Sequence, residues 1–237
     1  MPDLLRAASD GSLTDRTYWR IKRDIIELRY APGQALKEKE VAQVLASSKT
    51  PVREAFARLV SDGLLLPLGR QGYGIAPVTL SDASELCDMR TLLQSEAAGR
   101  AAERGLSPGD AARLRELCVD VAGGPLGGPG MDARLHGNFE FEALIANASG
   151  NGRLALAVVR MLDEFERVVR LALLLDPALP PWRLSERQRI VDGILSGSAA
   201  AAESAMRSRA KSAKTEILRA LRASAAVREA EITVPLG

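Results

Sequence analysis

Apolar residues along this chain recur at helical spacing almost throughout, with one short interruption. Trp19, Ile21, Ile25 and Leu28 supply a loose apolar face that predicts a helix over 15–28. Pro32-Gly33 breaks it, and "YAPGQAL" passes through a short extended stretch. A second helix is expected over 38–45 and a third over 51–62. In the third, Val52, Ala55, Phe56, Leu59 and Val60 repeat at i, i+3, i+4, i+7 and i+8, so that face is buried. Thr50 suits its cap, Pro51 its first position and Gly63 its stop. "LLLPLGRQGYGIAPV" then gives two short apolar runs around Gly69–Gly74, the pattern of a hairpin. Beyond Thr79 helices are expected over 82–104, 108–121, 132–148, 152–175, 186–196 and 199–228. Ser107-x-x-Asp110 and Ser185-x-x-Gln188 have the form of capping boxes or close relatives of them. "GGPLGGPG" at 123–130 reads as a loop and the final "ITVPLG" as a frayed end.

This pattern predicts a mainly α protein. A winged helix-turn-helix over 14–78 carries a small β-hairpin wing, and an all-α helical bundle follows over 79–230. Short tails flank them at 1–13 and 231–237. The Ala, Leu, Arg and Glu richness and the 4% of aromatics favour helix over sheet. No apolar run reaches the roughly 20 residues of a membrane span, and "MPDLLRAASD" lacks a signal-peptide layout. Cys87 and Cys118 fall in helical segments and are expected as reduced core residues of a cytoplasmic protein.

Charge changes the picture. The chain is nearly neutral, at +2, but residues 14–78 hold eleven Lys and Arg against seven Asp and Glu. The basic excess therefore sits where a polyanion would be met. Lys49 and Arg53 stand at the start of the third helix, where the dipole disfavours cations by a few tenths of a kcal/mol. A phosphate backbone offsets that cost and is itself favoured by a helix N-terminus. Arg53, Ala57 and Arg58 point away from the buried stripe, and Lys39 opens the second helix in the same way. Lys39, Lys49 and Arg53 together point to DNA; Arg58 alone reads as a solvated charge.

"APGQALKEKEVAQVL" and "SSKTPVREAFARLVSDGLLLPLGRQGYGI" resemble the DNA-binding domain of the GntR family of bacterial transcription regulators. The resemblance covers about 60 residues, among them Pro32-Gly33, Leu36, Glu38, Thr50 to Ala55, Leu59 and Gly63-Leu64. It implies that Lys39, Lys49 and Arg53 are the main contacts with double-stranded DNA and that Arg70, Gln71 and Gly72 form the wing tip; Thr50 and Arg58 complete the candidate DNA-binding set. The family usually has Arg where this chain has Lys49. Lys contacts phosphate but lacks the planar fork that reads guanine bidentately.

The rest resembles, more weakly, the effector domain of the fatty-acid-regulator (FadR, or FCD) branch, through "ELCDMRTLLQSEAA", "NFEFEALIANASGN" and "RQRIVDGILSGSAAAAESAMRSR". Many members hold a metal there with one Asp and three His. The matching positions here are Asn138, Glu142, Arg187 and Arg209, and arginines stay protonated. No metal and no other cofactor is therefore expected. The single histidine, His136, lies off the motif and reads as a surface or packing residue. Asn138 and Glu142 share a helix face with Leu135 and Ile145. Arg187 continues the stripe of Ile190, Val191 and Ile194, and Arg209 that of Met206, Ala213 and Ile217. Charges on apolar stripes need partners. A structural Arg–Glu142–Arg cluster would supply them. So would a pocket with surplus positive charge, extended by Arg90, that takes a small carboxylate or phosphate-bearing effector. The sequence leaves both open.

The function expected is a sequence-specific DNA-binding regulator, a repressor, working as a homodimer on a palindromic operator. Its effector is a small organic anion or, on the alternative reading, it has none and represses constitutively. An enzyme is not supported. One histidine assembles no Ser/His/Asp set, Glu142 lacks a second acid, and "GGPLGGPG" lacks the lysine and preceding strand of a phosphate loop.

Overall fold

The computed structural model describes residues 11–119, 129–177, 179, 184–225 and 227. It divides into two compact units, 1–78 and 79–237. Of the loop expected over 123–130, residues 123–128 lie outside the described set, as does the C-terminal tail.

The first unit is a winged helix-turn-helix. Helix α1, Leu13–Ile26, starts two residues before the expected position because Ser12 caps it. The Ser12 hydroxyl accepts from the Asp15 N–H, and the Asp15 carboxylate accepts from the Ser12 N–H, a complete capping box. The helix stops short of Leu28, whose φ is +59°. Helices α2, Glu38–Val44, and α3, Lys49–Ser61, follow. Ser48, not Thr50, occupies the cap of α3, and Thr50 and Pro51 lie inside its first turn. Pro51 is still tolerated there, since first-turn N–H groups have no intrahelical acceptor. The predicted stripe holds: Val52, Ala55, Phe56 and Leu59 are all 0% exposed and pack with Tyr18, Ile21 and Ile25 of α1. Burying Phe56 alone stabilises the unit by roughly 1.5–3 kcal/mol.

Strands β1, Ala35–Leu36, β2, Leu65–Pro67, and β3, Tyr73–Ile75, form an antiparallel sheet in the order β1-β3-β2. The β2–β3 turn contains a 3-10 turn, Gly69–Gln71, closed by Leu68 N–H donating to Gly72 O at 2.8 Å. Gly72 has φ +97°, and a Cβ there would lie 2.6 Å from Leu36 O. Only glycine fits where the wing crosses β1.

The second unit is all helical: α4 Leu80–Arg104, α5 Pro108–Glu116, α6 Pro129–Ala148, α7 Gly152–Leu175, α8 Leu184–Leu195 and α9 Ala199–Arg222. Helix α4 is central and packs against α6, α7, α8 and α9. Its run Ala97, Ala98, Ala101 and Ala102 is buried and lets neighbouring backbones approach. Gly193 serves α8 and α9 the same way, since a Cβ there would lie 2.7 Å from Ala202 N. Ser107 caps α5 as expected. Ser185 does not cap α8, because that helix already begins at Leu184. Helix α5 ends at Glu116, five residues before the expected stop. Cys87 and Cys118 are buried free thiols. Among the described residues no helix is long and apolar enough to cross a membrane.

Candidate functional site

One candidate site is the exposed N-terminal end of α3. Lys49, Thr50 and Arg53 are all exposed. Helices α1 and α2 carry acids in their first turns, but α3 carries none. The helix dipole and two side-chain cations therefore present one sign of charge to solvent. Glu54, next to Arg53 in sequence, accepts from Thr14 Oγ1 at 2.8 Å and helps tie α1 to α3. Lys39 is exposed on α2, though flanked by Glu38 and Glu40. Arg70 and Gln71 are exposed at the wing tip and Gly72 is half-buried. Arg58 is committed differently. It donates to Asp15 Oδ1 at 2.7 Å and stacks 3.9 Å over the Tyr18 ring, so its guanidinium serves the α1–α3 packing.

The second candidate site is buried in the helical unit. Arg90 from α4, Asn138 and Glu142 from α6, Arg187 from α8 and Arg209 from α9 meet there, all at most 5% exposed. Glu142 Oε1 accepts from Arg90 Nη2 and from Arg209 Nη1, each at 2.6 Å. Its Oε2 accepts from Gln94 Nε2 at 2.6 Å. Asn138 Oδ1 accepts from Arg209 Nη2 and, at 3.2 Å, from Arg187 Nη2. Arg187 Nη1 also donates to Leu117 O at 2.6 Å. Aromatic rings wall the cluster, with Phe165 4.1 Å below Arg90 and Phe141 5.2 Å from Arg187. Such faces favour cations where water is excluded.

The electrostatics follow from two guanidiniums sharing one carboxylate. Burial alone would raise the Glu142 carboxyl. Arg90 and Arg209, with the hydrogen bonds from Arg209 and Gln94, outweigh that and hold it at about 2. Arg90 moves the opposite way from a salt-bridge partner. Burial pulls it below its usual range, Glu142 offsets this only in part, and Arg209 adds repulsion. The carboxyl is thus governed by its two guanidinium partners, and Arg90 chiefly by its burial. Arg90 Nε and Nη1 and Gln94 Oε1 are buried without a hydrogen-bond partner. A cavity of about 10 Å³ adjoins the cluster between α6 and α7, lined by Asn138, Phe165 and apolar side chains with Glu166. That is room for about one water.

These residues do not fit a transition metal. Apart from the Gln94 amide, the groups hydrogen-bonded to Asn138 and Glu142 are guanidinium donors, which repel a cation and have no lone pair to give it. Among the described residues no three His, Cys, Asp or Glu gather into a metal-holding group. His136 is exposed on α6, away from the buried face.

Gln94, the Leu117 carbonyl and the two phenylalanines were not singled out by the sequence. Gln94 had a signal, since it follows Arg90 by four residues and so shares its face of α4. A second buried network on α7 was also missed. Arg170 donates to Glu166 at 2.9 Å and pairs with Asp132 at 2.8 Å. Its i, i+4 spacing was the readable sign.

Residues 13–75 match the family described as bacterial regulatory proteins, gntR family, and residues 85–212 match the FCD domain. An HTH-type transcriptional regulator from an unstable DNA locus of Streptomyces ambofaciens is 26% identical over 207 residues, 85% of this chain and 84% of that protein. One from the TAR-I ttuE-ttuC' intergenic region of Agrobacterium vitis is 33% identical over 96 residues, 40% of this chain and 56% of its own length. The transcriptional repressor RspR of Escherichia coli is 31% identical over 90 residues, 38% of this chain and 40% of its own. Among solved structures, E. coli McbR/YncC superposes with a TM-score of 0.74 at 22% identity, covering 88% of this chain and 98% of that one. A GntR regulator from Rhodococcus sp. RHA1 gives 0.67 at 23%, covering 88% and 99%. These likenesses concern the fold.

Proposed function

Because the chain belongs to the GntR family of bacterial transcription regulators and carries its FCD domain, we propose that it is a dimeric repressor that senses a small organic anion without a metal. The observation that carries this reading is the surplus of buried cation at Glu142: Arg90 and Arg209 share its one carboxylate, and Arg90 Nε and Nη1 lack an acceptor. A carboxylate or phosphate group supplies the missing negative charge and accepts from one of those donors. The adjoining cavity is small, so a ligand must enlarge it. A ligand that binds one arrangement of the helices better than another shifts the equilibrium toward it. That shift is the signal passed to operator binding.

On the DNA side, Lys49 and Arg53 at the α3 entrance are the principal contacts with the operator, joined by Thr50, Lys39 and the wing residues Arg70, Gln71 and Gly72. Exposure of all but the half-buried Gly72 supports this. Arg58 stands outside that set, given its engagement with Asp15 and Tyr18. The likeness to the transcriptional repressor RspR supports the repressing sense. A dimer reading two symmetric half-sites is the arrangement that a palindromic operator requires.

The closed geometry around Glu142 favours one second reading, in which the cluster is purely structural and repression is constitutive. Thermal unfolding with a panel of organic anions separates the two. A true ligand raises the melting midpoint with its concentration, and Arg187→Ala abolishes that rise. An unchanged response in Arg187→Ala removes Arg187 from the pocket, and no response to any anion in the wild type leaves the structural reading.

A further inference from the structure

Glu142 occupies the place of a ligand as much as that of a side chain. Its carboxylate is carried by α6, but the groups that recognise it come from α4 and α9. Arg90 Nη2 and Arg209 Nη1 converge on Oε1, and Gln94 Nε2 meets Oε2, all at 2.6 Å. Two guanidiniums and an amide aimed at both oxygens of one carboxylate form a carboxylate-recognition site. The Glu142 side chain is 0% exposed, so no water competes for these donors. A simple buried ion pair needs one cation; this carboxylate is held by two, with Arg187 nearby through Asn138.

We propose that Glu142 is a tethered carboxylate filling a carboxylate-binding seat built by Arg90, Gln94 and Arg209. An external anion that reaches Arg90 or Arg209 competes with Glu142 for them. The seat stands or falls separately from the effector reading, because it concerns what these three side chains recognise and not whether the wild type has an effector.

The test is Glu142→Ala in the full chain, titrated with acetate against chloride at constant ionic strength. The substitution deletes Cγ and the carboxyl group, which together have the size of acetate. The variant is expected to melt below the wild type. Acetate is expected to restore it along a one-site curve, by about 5–10 °C at a hundred times its dissociation constant. Formate should restore less, butyrate is too long for the space, and the wild type should not respond to acetate. Adding Arg209→Ala should remove the response. Acetate acting no better than chloride on Glu142→Ala, or equally on wild type and variant, overturns the proposal. If the variant is not folded when purified, it is refolded from urea in acetate or in chloride. Helix recovered in acetate alone supports the seat, and helix recovered in neither overturns it. The wild type screened with larger organic anions gives the separate reading for the effector: a rescued variant beside an unresponsive wild type keeps the seat and loses the effector.

Discussion

Glu142→Gln tests the electrostatics of the cluster most cleanly, because it keeps the shape of the side chain and removes only the charge. In the wild type the carboxyl sits at about 2 against an ordinary 4.5. That gap corresponds to about 3 kcal/mol in favour of the charged form. The amide leaves Arg90 and Arg209 buried without their counter-charge, and breaking one side of a buried pair costs about 3–5 kcal/mol. For a unit of this size each kcal/mol moves the midpoint by about 2–4 °C, so the helical unit should melt about 10 °C lower at pH 7. The pH dependence has a definite sign. A carboxyl depressed in the folded state stabilises fully above its unfolded value near 4.5, and that stabilisation is lost as pH falls through the folded value near 2. The wild type should therefore lead the variant by the full amount at pH 7, and the lead should shrink between pH 4.5 and pH 2. Urea unfolding followed by far-ultraviolet circular dichroism across that range measures both. A lead under about 1 kcal/mol at pH 7, or a lead that does not narrow in acid, would refute the reasoning.

The DNA-binding unit carries two further expectations. Arg53→Ala should weaken operator binding and make the plot of log affinity against log salt shallower by about one; fluorescence anisotropy over a salt series reads this, and full retention of affinity would contradict the assignment of α3. Arg58→Ala should instead lower the melting midpoint of the 1–78 unit through loss of the Asp15 and Tyr18 contacts, with the salt slope unchanged; a slope change like that of Arg53→Ala would return Arg58 to the DNA-contacting set.

The helical stripes were legible because burial repeats with the helix. Val52, Ala55, Phe56 and Leu59 could be named as one buried face, and they are wholly buried. Helix ends were less legible, since caps depend on which of several small polar residues the chain uses. Ser12 outdid the expected start at Asp15, and Ser48 displaced Thr50, by local geometry that periodicity does not encode. At the cluster, Asn138, Glu142, Arg187 and Arg209 stood out as polar residues on apolar stripes, and the structure brings all four together with Arg90. What spacing could not supply was who pairs with whom. That Gln94 serves Glu142, or that the Leu117 carbonyl takes a hydrogen bond from Arg187, depends on contacts between residues 48 and 70 apart in sequence. The fate of Arg58 was open for the same reason, because its partners lie on a different helix.

Native mass spectrometry of the full chain, purified in chelator and mixed with its operator duplex, tests the central claim most directly. Two protomers per duplex, no bound metal, and release of the duplex when the right organic anion is added are expected. A stoichiometric divalent metal retained by the protein, or anion-dependent release that appears only after metal is supplied, would contradict it.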